Sequence, residues 1–394
     1  MSVVTPVPGA PEAPAGAGTW RVSWSGVRTV AALELRQRVR STRWVIVLVV
    51  WFVVLLGLTL LLRRAVASAA TSIAGIDPSN GSTPQELRDY VGAAVFGAVV
   101  FMVLALGGLV APALAATSVN GDRTAGVLAA LQTTLLTPAE IALGKLAAAW
   151  VTALALLAAA LPCILWSFLD GGTPPGRLLT TLVVLALTLL VVCAVALGWS
   201  ALTARASSST VLTYLTIVFL GLGLPLTFAF TLPLVTQDDR VQVRQFADEG
   251  VQTDPSSPDT PPAPPPCETV TTTASRQHTE RSWWLLAANP FVVVADTAPP
   301  VRLRGQGPSD PLTIIRDGVR EARLGPPATE DDCYESDAAS QARATQRENE
   351  RDALPATWPY GLGADLLLAA GFTALAVRRL RAPAHKLPRG TRVA

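Results

Sequence analysis

Charge is scarce in this sequence. Asp, Glu, Lys and Arg supply only 15% of the 394 residues, against 50% hydrophobic residues, where a soluble domain carries about a quarter charged residues. The shortage is concentrated. Charge-free runs cover residues 44–62, 90–121, 146–169, 178–204 and 206–237, and a sixth run, 353–377, is interrupted only by Asp365. A membrane-crossing helix requires roughly 20 apolar residues. A soluble enzyme is therefore excluded. The expected fold class is an all-α membrane protein with six transmembrane helices, at 44–62, 91–116, 141–168, 178–202, 210–235 and 357–377.

Residues that carry chemistry are also few. The two histidines, His278 and His385, lie outside the runs, which removes a Ser/His dyad or a histidine metal site from the membrane. Asp365 is the only carboxylate inside a run, so the paired acids of an intramembrane aspartyl protease are missing. Asp365 reads either as a polar contact for a substrate or proton, or as an acid satisfied near the helix end by water or a neighbouring helix. Of the four cysteines, Cys163 and Cys193 fall inside spans, where they are buried small apolar residues. Cys267 and Cys333 stand together in the long segment before the last span. They either pair in an oxidising compartment or remain free thiols. No CxxC or His/Cys cluster points to a metal. The one Gly-Lys pair, Gly144-Lys145, is followed by Leu146, and Ala139 stands where the first glycine of a phosphate-binding loop would be. ATP hydrolysis by that route would belong to another chain.

The charge that is present is unevenly placed. Residues 236–357 hold 12 Arg and 20 Asp+Glu, while the remainder holds 19 Lys+Arg and 9 Asp+Glu, a pattern that gives nucleic acid nothing to bind. With the N-terminus inside, the inside flanks 1–43, 117–145, 203–210 and 378–394 carry 15 Lys and Arg, and the short outside loops 63–90 and 170–177 carry 4. Positive residues favour the cytoplasmic side, so both termini are expected there and 236–356 outside. Residues 1–19, rich in Pro, Ala and Gly, read as a disordered tail, and the first apolar run at Trp44 starts too late for a cleaved signal. The basic stretch 20–43 reads as a cytoplasmic connecting helix that either lies on anionic membrane lipids or only sets topology. The basic tail 378–394 sets topology.

Within 236–356, residues 236–281 hold few large apolar side chains and a run from Pro261 to Pro266, and are expected to be extended or disordered. The charge-free run 282–295 is too short to span. It is either a re-entrant or interfacial segment with Trp283 and Trp284 at headgroup level, or the core of a small soluble subdomain. Leu312, Ile315 and Val319 fall at helical spacing behind Asp310-Pro311, a suitable cap and first position. Residues 336–353 suit a polar helix.

The most informative stretch is 118–145. Asn120-Gly121 signals a turn, and Asp122 suits the cap of a following helix. Val127, Leu128, Leu131 and Leu135 fall at helical spacing. Thr137-Pro138-Ala139-Glu140 reads as a capping box with proline at the first helical position. Lys145, one to two turns into the third span, is placed to snorkel to the cytoplasmic surface. The expected element is a short helix at 122–136, either an ordinary connection or a part that transmits force to the spans.

The two halves of this loop, Asp122-Arg123-Thr124-Ala125-Gly126-Val127-Leu128 and Leu136-Thr137-Pro138-Ala139-Glu140-Ile141-Ala142-Leu143-Gly144-Lys145, resemble the signature of type-2 ATP-binding-cassette (ABC) exporter permeases. Two departures are Ala129, where an acid is common, and Thr134, where proline is often found. Residues 31–44 are similar to the family's basic connecting helix, and the six-span plan agrees. The insertion 236–356 is larger than the family's usual outside segment. The resemblance implies the transmembrane subunit of an ATP-driven exporter in the plasma membrane. A second permease chain would complete a homodimer or heterodimer, and a separate ATPase subunit would carry ATP and Mg, with no cofactor on this chain. Coupling to that ATPase would run through Asp122, Arg123, Gly126, Val127, Leu128, Leu131, Thr137, Pro138, Glu140, Gly144 and Lys145. Spans of Leu, Val and Ala suit a hydrophobic or amphipathic cargo. The alternative is a non-transport membrane scaffold or sensor working through its outside domain.

Overall fold

A computed structural model describes residues 20–72, 83–124, 136–246, 267–301, 310–327, 329–331, 333 and 337–381. Among these residues, six helices are long and apolar enough to cross a membrane. Helix α1 (Trp24–Val39) precedes span 1, α2 (Thr42–Ser72). Span 2 is α3 (Pro84–Ala115), followed by the short α4 (Ser118–Thr124). Spans 3 and 4 are α5 (Pro138–Asp170) and α6 (Pro175–Leu202). Span 5 is composite: α7 (Ala206–Val218), a π turn (Phe219–Gly223), α8 (Leu224–Thr231) and a 3-10 turn (Leu232–Leu234). Span 6 is α13 (Trp358–Arg379).

The start of span 2 repeats that of span 3. Thr83 accepts from the Glu86 N–H at 3.2 Å, and Glu86 accepts from the Thr83 N–H at 2.9 Å, with Pro84 in the first turn. Spans 2, 3 and 4 build the core, where Phe96 and Val99 meet Leu156, Ile164, Leu185 and Leu189. Span 1 joins through Trp51, whose indole N–H donates to the Leu156 carbonyl at 3.0 Å. Span 6 packs on span 4, with the Trp199 and Phe372 rings 5.4 Å apart. Spans 1 and 5 are peripheral and leave apolar faces uncovered, among them Val53, Leu61, Leu215 and Phe230.

The membrane part is helical throughout. The segment between spans 5 and 6 adds a sheet. Part of the stretch expected to be extended forms two antiparallel strands, β1 (Thr236–Phe246) and β2 (Cys267–Gln277), paired from Thr236 with Gln277 to Phe246 with Cys267. A short β3 (Thr329–Asp331) lies parallel to β1 on its other side. Residues 1–19 and the proline run fall outside the described residues. Helices α9 (Trp284–Ala287), α10 (Pro290–Ala295), α11 (Pro311–Leu324) and α12 (Asp337–Ala353) complete the insertion.

Residues 282–295 face two ways: Leu286 and Val292 pack with Val319 and Ala322 of α11. Val293, Val294 and Ala295 belong to the same apolar core as spans 2 to 4. Asn289 caps α10 and also donates to the Gly221 carbonyl at 2.8 Å. That carbonyl lies in the π turn of span 5, where the regular helical ladder is interrupted. A side chain from another element thus serves a backbone group at the interruption.

Candidate functional site at the junction of α1, α4 and span 3

Spans 1, 3 and 5 begin at one end of the bundle, called here the junction end; the insertion lies at the other. At the junction end, Thr137 and Glu140 open span 3 as a reciprocal cap. The Thr137 hydroxyl accepts from the Glu140 N–H at 3.2 Å, the Glu140 carboxylate accepts from the Thr137 N–H at 2.8 Å, and Pro138 occupies the first turn. Both residues also reach the lead-in to α1. Glu140 accepts the Ser23 N–H at 2.8 Å, and the Thr137 hydroxyl donates to the Arg21 carbonyl at 2.7 Å. Ser23 in turn caps α1 by accepting the Gly26 N–H at 3.0 Å. One carboxylate therefore serves the starts of two helices, whose first amides have no partner within the helix.

Two glycines permit this approach. A Cβ on Gly26 would lie 2.7 Å from the Glu140 carboxyl carbon, and one on Gly144 would lie 2.6 Å from Val30 Cβ. A side chain at Gly144 would push α1 off span 3, and one at Gly26 would displace the Glu140 carboxylate from its caps.

Lys145 is 2% exposed and does not snorkel to the surface. Its ammonium is held by Glu34 of α1 and by Asp122 of α4, and it donates to the Ser118 carbonyl at 3.1 Å. A buried charge is tolerated where opposite charge and hydrogen bonds surround it, and here the acceptors come to the lysine. Asp122 does not stand at the start of a described helix. It sits within α4, and Asn120-Gly121 is helical rather than a turn. The reason lies in span 4, where the Ser200 hydroxyl accepts the Val119 and Asn120 N–H groups at 3.1 and 3.3 Å and so starts α4 earlier. No local pattern announces a cap donated by another span.

Arg123 donates to the Thr203 carbonyl at 3.2 Å, and the Asn120 side chain donates to the Thr203 hydroxyl at 3.3 Å. Beneath this polar layer, Val119, Ile141, Leu197 and Leu380 form a small apolar cluster that brings in the end of span 6. The structure thus unites Asp122, Arg123, Thr137, Glu140, Gly144 and Lys145. Gly126, Val127, Leu128 and Leu131 lie outside the described residues, as does most of the expected 122–136 helix. Sequence reasoning missed Glu34, Ser23, Ser200 and Thr203.

A second polar centre lies at the insertion end. Buried Asp296 accepts the Thr357 and Trp358 N–H groups at 2.6 and 3.0 Å and so caps span 6 from outside it. It also accepts Arg320 Nε at 2.8 Å, and Arg316 lies 3.9 Å away. Burial, and Arg320 beside it, draw Arg316 below the usual guanidinium value, while Asp352, Asp317 and Asp296 favour its charge. Asp310 caps α11, accepting the Leu312 and Thr313 N–H groups at 3.0 and 3.2 Å; burial pushes its carboxyl up to about 6 against those bonds. A disulfide joins Cys267 to Cys333, with Cα atoms 6.2 Å apart. Asp365 is 1% exposed in span 6, and its Oδ2 has no hydrogen-bond partner among the described residues. Among those residues no group of three or more His, Cys, Asp or Glu side chains is placed to hold a metal.

A family model described as "ABC-2 family transporter protein" matches residues 28–253. The match runs from α1 into the insertion and includes Glu34, Asp122, Glu140 and Lys145. Among curated proteins, none matches the chain significantly.

Proposed function

The chain belongs to the ABC-2 family of transporters and is a multi-pass membrane protein, not the ATPase; from that premise we propose that it is the transmembrane subunit of an ATP-driven exporter. Its junction end receives a separate ATPase subunit, which carries the ATP and Mg. The observation that supports this most directly is the Lys145 clamp. It ties α1, α4 and span 3 at the point where the chain passes from Thr124 to Leu136. A displacement applied there reaches spans 2 and 3 through Asp122 and Lys145, and span 4 through Ser200 and Thr203. Coupling of this kind is a free-energy link between two distant sites.

In this reading the chain lies in the plasma membrane with the junction end in the cytoplasm. The uncovered faces of spans 1 and 5 meet lipid or a second permease chain, identical or sibling. The cargo is hydrophobic or amphipathic, in keeping with the Leu, Val and Ala of the spans. Asp365 supplies a polar contact inside the bundle.

The reading is tested by co-purification. Gly126→Trp, and separately Asp122→Ala, should insert and accumulate normally yet lose the ATPase partner or its cargo-stimulated hydrolysis. Variants that retain the partner and export at the wild-type rate would reduce the loop to a connection. Orientation is tested by a reporter cysteine. At Gln242 it should react with a membrane-impermeant maleimide in intact cells, and at Arg378 it should not.

A further inference from the structure

A cavity of about 650 Å³ opens at the insertion end between span 5, α9 and the start of span 6. Its two ends differ in chemistry. At one end stands Arg323, from the last turn of α11, over the Trp283 ring at 4.7 Å. The guanidinium donates to the Pro355 carbonyl at 2.8 Å. It carries five donors, so a carbonyl does not exhaust it. Its neighbours on the same helix are committed differently, because Arg316 and Arg320 face carboxylates. Among the described residues Arg323 has no carboxylate partner, and none of them that lines the cavity carries a carboxylate. Trp284 and Tyr360 flank the opening, 61% and 62% exposed.

At the other end lie Leu224 and Ala364. Ala364 is six residues into span 6, and Leu224 is ten residues before the end of span 5. At 1.5 Å per residue these offsets are about 9 and 15 Å along the helices. The cavity therefore runs from a cationic, aromatic rim down an apolar wall of two membrane-length helices. Trp and Tyr are residues of the membrane interface, and arginine matches a phosphate through paired N–H groups. The volume lies within the range of small-molecule sites.

We propose that this cleft binds one phospholipid with an anionic headgroup. The phosphate meets Arg323 beside Trp283 and Trp284, and one acyl chain passes Tyr360 toward Leu224 and Ala364. Charge complementarity selects the occupant, since among the described residues the lining offers a single cation, no acid and an apolar floor. The site does not depend on ATPase coupling, and its test needs no transport.

The purified full-length protein is titrated with phosphatidylglycerol and, separately, phosphatidylcholine, and bound lipid is counted by native mass spectrometry. The wild type should retain phosphatidylglycerol preferentially. Arg323→Gln should lower phosphatidylglycerol affinity roughly tenfold, as expected when hydrogen bonds to a charged group are lost, and should erase the preference. Ala364→Trp keeps the cation but fills the apolar end, and should weaken both lipids. Arg323 also holds Pro355, so thermal melting is measured for each variant; if Arg323→Gln unfolds, Ala364→Trp alone decides. Equal retention of the two lipids by the wild type, an unchanged preference in folded Arg323→Gln, or undiminished binding in Ala364→Trp would each overturn the proposal.

Discussion

At the junction end a single cation, Lys145, is held between two acids, Glu34 and Asp122; at the insertion end a single acid, Asp296, is held between two cations, Arg320 and Arg316. The mirror symmetry ends with the surroundings. Asp296 is 2% exposed, its arginines are nearly as buried, and both its oxygens accept bonds, two of them from the backbone at the start of span 6. Glu34 and Asp122 keep 20% and 25% of their side-chain surface open. Water or a partner can therefore reach the acids of the junction, whereas buried Asp296 is closed to both. The insertion end is a fixed rivet between α10, α11 and span 6. The junction end is a link whose outer members remain accessible, which suits an element that must respond to another protein.

The difference predicts unequal costs. Asp296→Ala should be the most damaging change, because it takes the carboxylate partner from buried Arg320 and uncaps span 6. Removing one partner of a buried ion pair costs about 3–5 kcal/mol. The expected result is loss of folded protein or a large fall in melting temperature. A variant that melts within a few degrees of wild type would show that the rivet is not fixed.

Lys145→Met should cost less. The two acids it releases are partly exposed and can be rehydrated, so about 1–2 kcal/mol is expected, below the value for a fully buried pair. The protein should still accumulate in the membrane, but α1 and α4 should loosen together. Hydrogen exchange should rise across residues 24–39 and 118–124. If exchange rises in only one of them, Lys145 does not join them.

Thr137→Ala comes next. An N-cap is worth about 1 kcal/mol, and this one also holds the Arg21 carbonyl. The variant should speed amide exchange at the start of span 3 while leaving span 2, which has its own Thr83 and Glu86 box, unchanged. Equal change in both spans would mean the effect is global.

Much of the fold was legible because it rests on local patterns. Charge-free runs mark all six long helices, and the Thr-Pro-x-Glu box marks the start of span 3 at Pro138. The same box stands at Thr83 and shows span 2 starting at Pro84, ahead of its charge-free run. Span 1 continues past Arg63 and Arg64 to Ser72, because a charged pair ends an apolar run without ending a helix. The site was less legible, since its contacts are long-range. Lys145 looked like a snorkelling residue because Glu34 lies 111 positions away, and Asn120-Gly121 looked like a turn because Ser200 is in another span. The strands escaped notice for a related reason. Residues 236–246 and 267–277 have little apolar surface to bury, and their partner is each other.

The smallest expected effect lies at the base of the β hairpin, and its sign follows from His278. Nδ1 lies 2.7 Å from Glu280 and Nε2 lies 2.7 Å from Asp239, a residue of β1. Ionised carboxylates only accept hydrogen bonds, so both contacts are made at once when the ring is protonated on both nitrogens. The hydrogen bond to Glu280 raises the His278 pKa, partial burial opposes it, and the bond to Asp239 adds to the rise. A folded-state pKa above the unfolded value of about 6.5 means that the stabilising contribution is complete below that value. It is lost as pH rises through the folded-state value. The anchor between β1 and the turn at Thr279–Arg281 should therefore be tighter at pH 5.5 than at pH 8.5. Amide exchange at residues 236–241, corrected for the intrinsic pH dependence of exchange, should show greater protection at the lower pH. His278→Gln should remove that pH dependence while leaving exchange at the junction end unaltered. Protection that increases with pH in the wild type, or a pH dependence that survives in His278→Gln, would place the titrating group elsewhere.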